Sequence, residues 1–262
     1  MTSVPCGVWV TATIVEMASA RPANDEVAYV LHRRSYGETS LLIDLFARDG
    51  GRLRAVARGA RRNRVGQPFT ELAIAWSGRS ALKTLTRAES LPAQPGLLRG
   101  RALYAGFYAN ELLLRLLPEA DPHPRLYQTY QCLLEELAVQ MGPEDGDVEP
   151  SLRRFELGLL GELGYGLCLD RTGRGDAVEA GAEYHFLGDL GLVPAEAGVS
   201  PRGEPLRGRD LLAMAADDYR DVQVRRCAKR LLRAALAEQL GPRPLRSREL
   251  FRAPIKPDDG ES

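Results

Sequence analysis

The sequence predicts an α+β chain in which a small closed five-stranded β-barrel precedes an α-helical domain. Three observations predict it. Five short β-rich runs, separated by turns that contain glycine, fall within roughly seventy residues after position 26. No segment with helical periodicity interrupts them, so the strands must satisfy one another's edges, and closure does this most economically. Beyond Pro92 and Pro95 the hydrophobic period changes from two to 3.6 and stays there.

Residues 1–26 carry weak structural signals and end in the polar stretch Arg21-Pro-Ala-Asn-Asp-Glu26, which reads as an N-terminal extension without an assigned role. The barrel is expected over 27–92. Val27–His32 is β-rich, and Thr39–Phe46 is a strongly apolar run with β-branched and aromatic members. Asp49-Gly50-Gly51 is a tight-turn signal, and Arg52–Arg58 follows with basic residues interleaved among apolar ones. Leu72–Trp76, the break Ser77-Gly78 and Leu82–Thr86 repeat the strand–turn–strand pattern. An antiparallel five-stranded barrel of this size is the OB-fold.

The helical domain is expected over 96–252. A first stripe runs from Leu98 through Phe107 to Leu117 and stops at Pro118; a second, Leu126 to Leu137, is closed by Gly142-Pro143. Pro150-Ser151 opens a third helix, whose Leu152, Phe155, Leu159 and Leu163 share a face before Gly164-Tyr-Gly166. An irregular, acidic, Gly-rich insertion occupies about 167–205, with a hairpin signal at Tyr184–Leu187 and Gly191–Val193. Helices are then expected at Arg209–Ala216, Asp221–Leu240 and around Ser247–Phe251, followed by a flexible tail at 253–262.

Composition excludes several classes. The 262 residues hold 35 basic and 35 acidic side chains, with 44% hydrophobic residues, an ordinary globular balance. No apolar run is long enough for a bilayer, and the first twenty residues lack a basic n-region with a sustained apolar core, so neither a membrane span nor a secretory signal is expected. Cys6, Cys132, Cys168 and Cys227 form no CxxC pair, which argues against a disulfide framework and a four-thiolate zinc site. A cytoplasmic protein is expected. There is no P-loop, no dinucleotide fingerprint between a strand and a helix, no G-x-S-x-G and no H-E-x-x-H, so an enzyme is not.

Zero net charge conceals segregation. Between Val27 and Pro95, twelve basic residues face five acids; between Met141 and Ser200, twelve acids face four arginines. A basic barrel suits a polyanion, because phosphate contacts respond to the local field rather than to total charge. Alternation in Arg52–Arg58 puts Leu53, Ala55 and Ala57 on one face and Arg52, Arg54, Val56 and Arg58 on the other. The loop after Gly59 adds Arg61, Arg62 and Arg64. With Arg33, Lys83 and Arg87 these make up the candidate phosphate-binding set. Tyr29, Tyr36, Phe46, Phe69 and Trp76 each fit a core as well as a stacking platform, Phe46 the core better. Arg153 and Arg154, alone in an apolar and acidic helix, fit either an intrahelical ion pair or a basic rim beside an apolar groove. Arg225, Arg226, Lys229, Arg230 and Arg233 form a basic stripe on the last long helix.

The strings Ala28-Tyr-Val-Leu-His-Arg-Arg-Ser-Tyr-Gly-Glu-Thr-Ser-Leu-Leu, Gly51-Arg-Leu-Arg-Ala-Val-Ala-Arg-Gly-Ala-Arg-Arg, Gln67-Pro-Phe-Thr, Leu82-Lys-Thr-Leu-Thr-Arg-Ala-Glu, Tyr108-Ala-Asn-Glu-Leu-Leu, Leu152-Arg-Arg-Phe-Glu-Leu-Gly-Leu-Leu and Ser247-Arg-Glu-Leu-Phe resemble the RecO family of DNA repair proteins, proteobacterial type, in order from Ala28 to Arg252. The resemblance implies an OB-fold followed by a helical domain and a non-enzymatic recombination mediator of the RecF pathway. Such a protein binds single- and double-stranded DNA and anneals complementary strands. With RecR it helps load RecA onto single strands coated by single-stranded DNA-binding protein (SSB). The implied partners are DNA, RecR and the acidic C-terminal tail of SSB, with Arg153 matching a position the family uses for that tail and Arg154 beside it. Some members carry zinc on two CxxC-like pairs; with Cys168 alone in that region, no zinc or other cofactor is expected here. The loop carrying Arg61, Arg62 and Arg64 is shorter than in close relatives. An interaction adaptor and an RNA-binding OB module are the alternative functions.

Overall fold

The computed structural model describes residues 25–60, 66–91, 98–139, 147–195 and 204–251. Arg61, Arg62, Arg64, residues 1–24 of the N-terminal extension and the 253–262 tail therefore lie outside the described residues.

Five strands, β1 (Asp25–Tyr36), β2 (Ser40–Ala47), β3 (Gly51–Ala57), β4 (Glu71–Ser77) and β5 (Leu82–Ser90), form a closed barrel in the order β1-β2-β3-β5-β4, with β4 pairing back to β1. One expectation needs correcting, because β3 and β5 pair in parallel and not every neighbour is antiparallel. The connection from β3 through β4 to β5 brings the chain back in the same direction, as a Greek-key closure of five strands requires. The first strand begins at Asp25, two residues before the expected barrel start. The Glu26 carboxylate accepts backbone N–H bonds from Asp49 and Gly50, tying that start to the β2–β3 turn.

The barrel interior is filled by Ala28, Val30, Leu41, Ile43, Leu45, Leu53, Ala55, Leu72 and Ile74, and β3 shows strict alternation of burial along its length. Almost all of β2 is buried, on both faces. Its inner residues fill the barrel, while Phe46 on the outer face joins Tyr29 and Leu31 in the helical core. The outside of β1–β2 is thus the floor on which the helices stand.

Those helices are α1 (Gly100–Leu116), α2 (Pro124–Val139) and α3 (Glu149–Glu162), with α4 (Gly208–Ala215), α5 (Val222–Leu240) and the short α6 (Ser247–Leu250) after an irregular segment. That segment holds the expected hairpin, β6 (Glu183–Leu187) with β7 (Gly191–Pro194), and a third strand, β8 (Leu206–Arg207), that the pattern did not signal. Two residues give too short a period to detect.

Three successive polar groups of α1 fasten the molecule together. The Tyr108 hydroxyl donates to Glu156 Oε1 on α3 at 2.5 Å. The Asn110 amide donates to the Leu31 carbonyl at 2.7 Å and accepts from the Tyr130 hydroxyl at 2.5 Å. The Glu111 carboxylate accepts from the backbone N–H groups of Arg246 and Ser247 and from the Ser247 hydroxyl, anchoring α6. Leu31 lies where the β1–β2 register shifts, between Val30 and His32, so its carbonyl needs a partner from outside the ladder.

Candidate nucleic-acid interface

The register defines the rows of side chains on the outer face of the barrel. His32, Asp44, Arg54 and Leu82 form one row across β1, β2, β3 and β5. Arg34, Leu42, Val56 and Thr84 form the next, and Tyr36 pairs with Ser40 beyond it. Arg58 follows Ala57, the last residue of β3 and the partner of Leu41, in an exposed turn. Arg34 and Arg54 therefore share the outer face, with Arg58 just past the end of β3.

Asp44 organises the middle of this face. Arg54 Nε donates to Asp44 Oδ1 at 2.9 Å, and His32 Nδ1 is 3.7 Å from Oδ2. Burial alone would raise the Asp44 pKa, but the hydrogen bonds from His32 and Arg54 outweigh it and hold the carboxyl below its usual range. The Arg54 side chain remains 41% exposed, and Glu119 lies 3.8 Å from its Nη2. One edge of the fork is fixed by carboxylates while the rest faces solvent, which orients it for an incoming anion. Arg34 and Arg58 are exposed and have no ion-pair partner among the described residues.

The other expected phosphate contacts are placed differently. Arg52 is only 12% exposed: its Nε donates to the Leu117 carbonyl at 2.9 Å and its Nη1 lies 3.5 Å from Glu119, so it clips the barrel to the end of α1. Arg33 pairs with Ile43, an inner-face residue, and thus points away from the row that holds Arg34. Lys83 pairs with the inner-face Ala55 and reaches the Gly78 carbonyl at 3.4 Å. Arg87 sits across the barrel, 3.4 Å from Asp25 and 4.0 Å from Glu89. One basic residue outside the expected set belongs with the face: Arg34, opposite Leu42.

A second cationic surface lies in the helical domain. A cavity of about 250 Å³ is lined by Arg101 and Tyr108 of α1, Val148, Glu149, Leu152, Arg153 and Glu156 at α3, Lys229 and Arg233 of α5, and Arg248 and Phe251 at α6. Five basic residues oppose two acids around an apolar floor. Lys229 is matched to Glu149 at 2.7 Å and Arg153 to Glu156 at 2.6 Å. Arg101, Arg233 and Arg248 have no carboxylate within salt-bridge distance among the described residues. Arg153 is 6% exposed, and its Nε is a buried donor without a partner among the described residues. Burial raises the Glu156 pKa, with Arg153 and the Tyr108 hydroxyl opposing that rise.

Arg153 makes the i,i+3 ion pair and also lines the basic, apolar cavity. Arg154 does not join it. Its Nε donates to both oxygens of Asp217, at 2.8 and 2.9 Å, and its Nη1 to Glu136 at 3.1 Å, a surface network linking α2, α3 and the α4–α5 turn. The α5 stripe is divided in the same way: Lys229 and Arg233 face the cavity, whereas Arg225 binds the Tyr219 and Arg220 carbonyls and Arg230 pairs with Glu204. Among the described residues no group of three or more His, Cys, Asp or Glu side chains is gathered as a metal site, and no helix is long and apolar enough to cross a membrane.

A closed five-stranded barrel with an arginine face, followed by a helical domain with a cationic cavity, defines an OB-like protein with two basic surfaces. Comparison with known families identifies which one. The family model described as Recombination protein O N terminal matches residues 24–93, and that described as Recombination protein O C terminal matches residues 98–249. The chain is 47% identical over 230 residues to the DNA repair protein RecO of Haemophilus influenzae (strain 86-028NP), covering 85% of this chain and 93% of that protein. It is 46% identical over 228 residues to the DNA repair protein RecO of Pseudomonas aeruginosa (strain LESB58), covering 86% and 94%. The chain belongs to the RecO family of DNA repair proteins, which places it in DNA repair and recombination.

Proposed function

We propose that this chain is a non-catalytic recombination mediator that holds DNA on its barrel and the SSB C-terminal tail in its helical cavity. The observation that carries the reading is the pairing of two separate cationic surfaces of different character in one chain. The barrel face offers exposed guanidinium groups in rows without an enclosing pocket, which suits a phosphate backbone read without sequence preference. The cavity offers buried and half-buried cations around Val148, Leu152 and Phe251, which suits a peptide with acidic residues and an apolar end.

In this reading Arg34, Arg54 and Arg58 contact single- or double-stranded DNA, with Arg61, Arg62 and Arg64 of the adjoining loop as further contacts. Arg33 and Lys83 border the face, Arg87 lies across the barrel from it, and Arg52 positions it. Arg153, Arg101, Arg233 and Arg248 take the carboxylates of the tail. Arg154 holds the helices around them. Occupying both surfaces at once brings naked strand next to SSB-covered strand. That placement supports annealing of complementary strands and, together with RecR, loading of RecA. No step requires a cofactor or a metal, and the work takes place in the cytoplasm on nucleoid DNA.

Fluorescence anisotropy of a labelled single strand over a salt series tests the DNA half. The six proposed phosphate contacts predict that log K falls linearly with log salt with a slope of about −4, at about 0.7 per neutralised phosphate. Binding that is absent, or indifferent to salt, would remove the DNA assignment and leave a protein-interaction adaptor. Stronger binding to an RNA strand of the same sequence would favour an RNA-binding module.

A further inference from the structure

The barrel has five aromatic residues, and the structure separates one from the rest. Tyr29 and Phe46 are 1% and 0% exposed, packed against Tyr127 and Tyr130 in the helical core. Phe69 lies against Phe107, and Trp76 packs on the barrel core. Tyr36 is 50% exposed. Its ring and hydroxyl have no partner among the described residues.

Its position matters as much as its exposure. Tyr36 is the last residue of β1 and pairs with Ser40 across the turn Gly37-Glu38-Thr39. Gly37 has φ +65°, a conformation that glycine adopts without strain, so the hairpin closes tightly and the ring stands at its tip. The strand period places Tyr36 on the same face as Arg34, two residues and about 6.6 Å away. On the other side of β2, β3 ends at Ala57, the partner of Leu41, and the exposed Arg58 follows it.

We propose that Tyr36 is the stacking residue of the barrel face and makes that face prefer single-stranded over double-stranded DNA. The inference rests on the reading that this face binds DNA. Guanidinium contacts to phosphate are available to both forms. A phenol ring adds binding only for a base whose π-face is free, and within a duplex both faces of each base are already stacked. The neighbouring arginines hold the phosphates that flank the stacked base.

The test compares Tyr36→Ala and Tyr36→Trp with the unsubstituted full chain, using a labelled single strand and a blunt duplex of the same sequence. Tyr36→Ala is expected to weaken single-strand binding about tenfold and duplex binding less than about twofold, with an unchanged salt slope. Tyr36→Trp should retain single-strand affinity, and its added indole fluorescence should be quenched by the single strand and not by the duplex. Because the ring is exposed, the thermal midpoints of all three proteins should agree. Single-strand affinity unchanged in Tyr36→Ala, with the unsubstituted protein still binding in a salt-dependent way, overturns the stacking role and leaves the DNA reading intact. Equal losses on strand and duplex overturn the preference. No DNA binding by the unsubstituted protein overturns both.

Discussion

Gly51→Ala is expected to destabilise the protein by about 3 kcal/mol or more, while Gly37→Ala costs about 1–2 kcal/mol, although both glycines occupy the same backbone region. Gly51 has φ +68° and Gly37 φ +65°, so the intrinsic penalty for a side chain is similar. Their surroundings differ. A Cβ at Gly37 meets nothing within 4 Å, whereas one at Gly51 lies 2.0 Å from the Asp121 carbonyl oxygen and 2.8 Å from the Asp121 nitrogen. These are backbone atoms and cannot rotate away. The contact is the seam between the two parts of the molecule: Ala120 N–H donates to the Arg52 carbonyl at 2.9 Å, and Arg52 forms a parallel bridge with Glu119. A side chain at Gly51 pushes the α1–α2 turn off β3 and strips Arg52 of its partners. Urea unfolding of the two variants measures the difference. Equal losses would mean that the seam is loose.

Arg153→Ala is expected to have the second large effect, acting on stability and binding together. The substitution leaves Glu156, 1% exposed, without its cation while Tyr108 still donates to it. Removing one partner of a buried pair costs about 3–5 kcal/mol. The pH dependence has a definite sign. Glu156 already has a raised folded-state pKa, and losing Arg153 raises it further. An acid of this kind stabilises the fold while protonated and loses that contribution as pH rises from its unfolded value through its folded one. The variant should therefore be closest to the parent at acid pH and fall progressively below it toward neutrality. Adding Glu156→Gln removes the unpaired charge and should recover most of the stability. The double variant should still bind an SSB-tail peptide at least about tenfold more weakly, because the buried cation is gone. Its affinity for single-stranded DNA should stay at the parental level. A double variant with full peptide affinity would show that Arg153 serves the fold alone.

The barrel and the helices were legible because each element repeats its own period. Arg52–Ala57 alternates without a break, and the α1 and α3 stripes end beside the proline and the glycine where the structure ends them, while the Gly142-Pro143 stop expected for α2 lies outside the described residues. The candidate site was legible only in part, and two residues show why. Alternation continued from Ala28 and Val30 puts Arg33 outside. The register shift between Val30 and His32 inverts the strand, so Arg34 and Tyr36 face outward instead. No residue type in that stretch announces the bulge. For Arg52, alternation gives the correct face, but local sequence does not say which part of the outer face the helical domain covers. The cavity lay beyond reach for a related reason. Arg101, Arg153, Arg233 and Arg248 come from four helices, and only tertiary packing brings them together. Arg153 carried a signal as a cation in an acidic and apolar helix, and Arg233 as a member of the basic stripe on the last long helix.

In the proposed function the barrel face and the cavity are separate surfaces that can be filled together. The most direct measurement is the affinity of a labelled SSB-tail peptide for the full chain, taken without and then with saturating unlabelled single-stranded DNA. Independent surfaces predict that the peptide stays bound and its Kd rises by less than about threefold, the residual effect being screened repulsion between two polyanions. Displacement of the peptide in proportion to the DNA added would contradict the account, because one surface would then be serving both ligands.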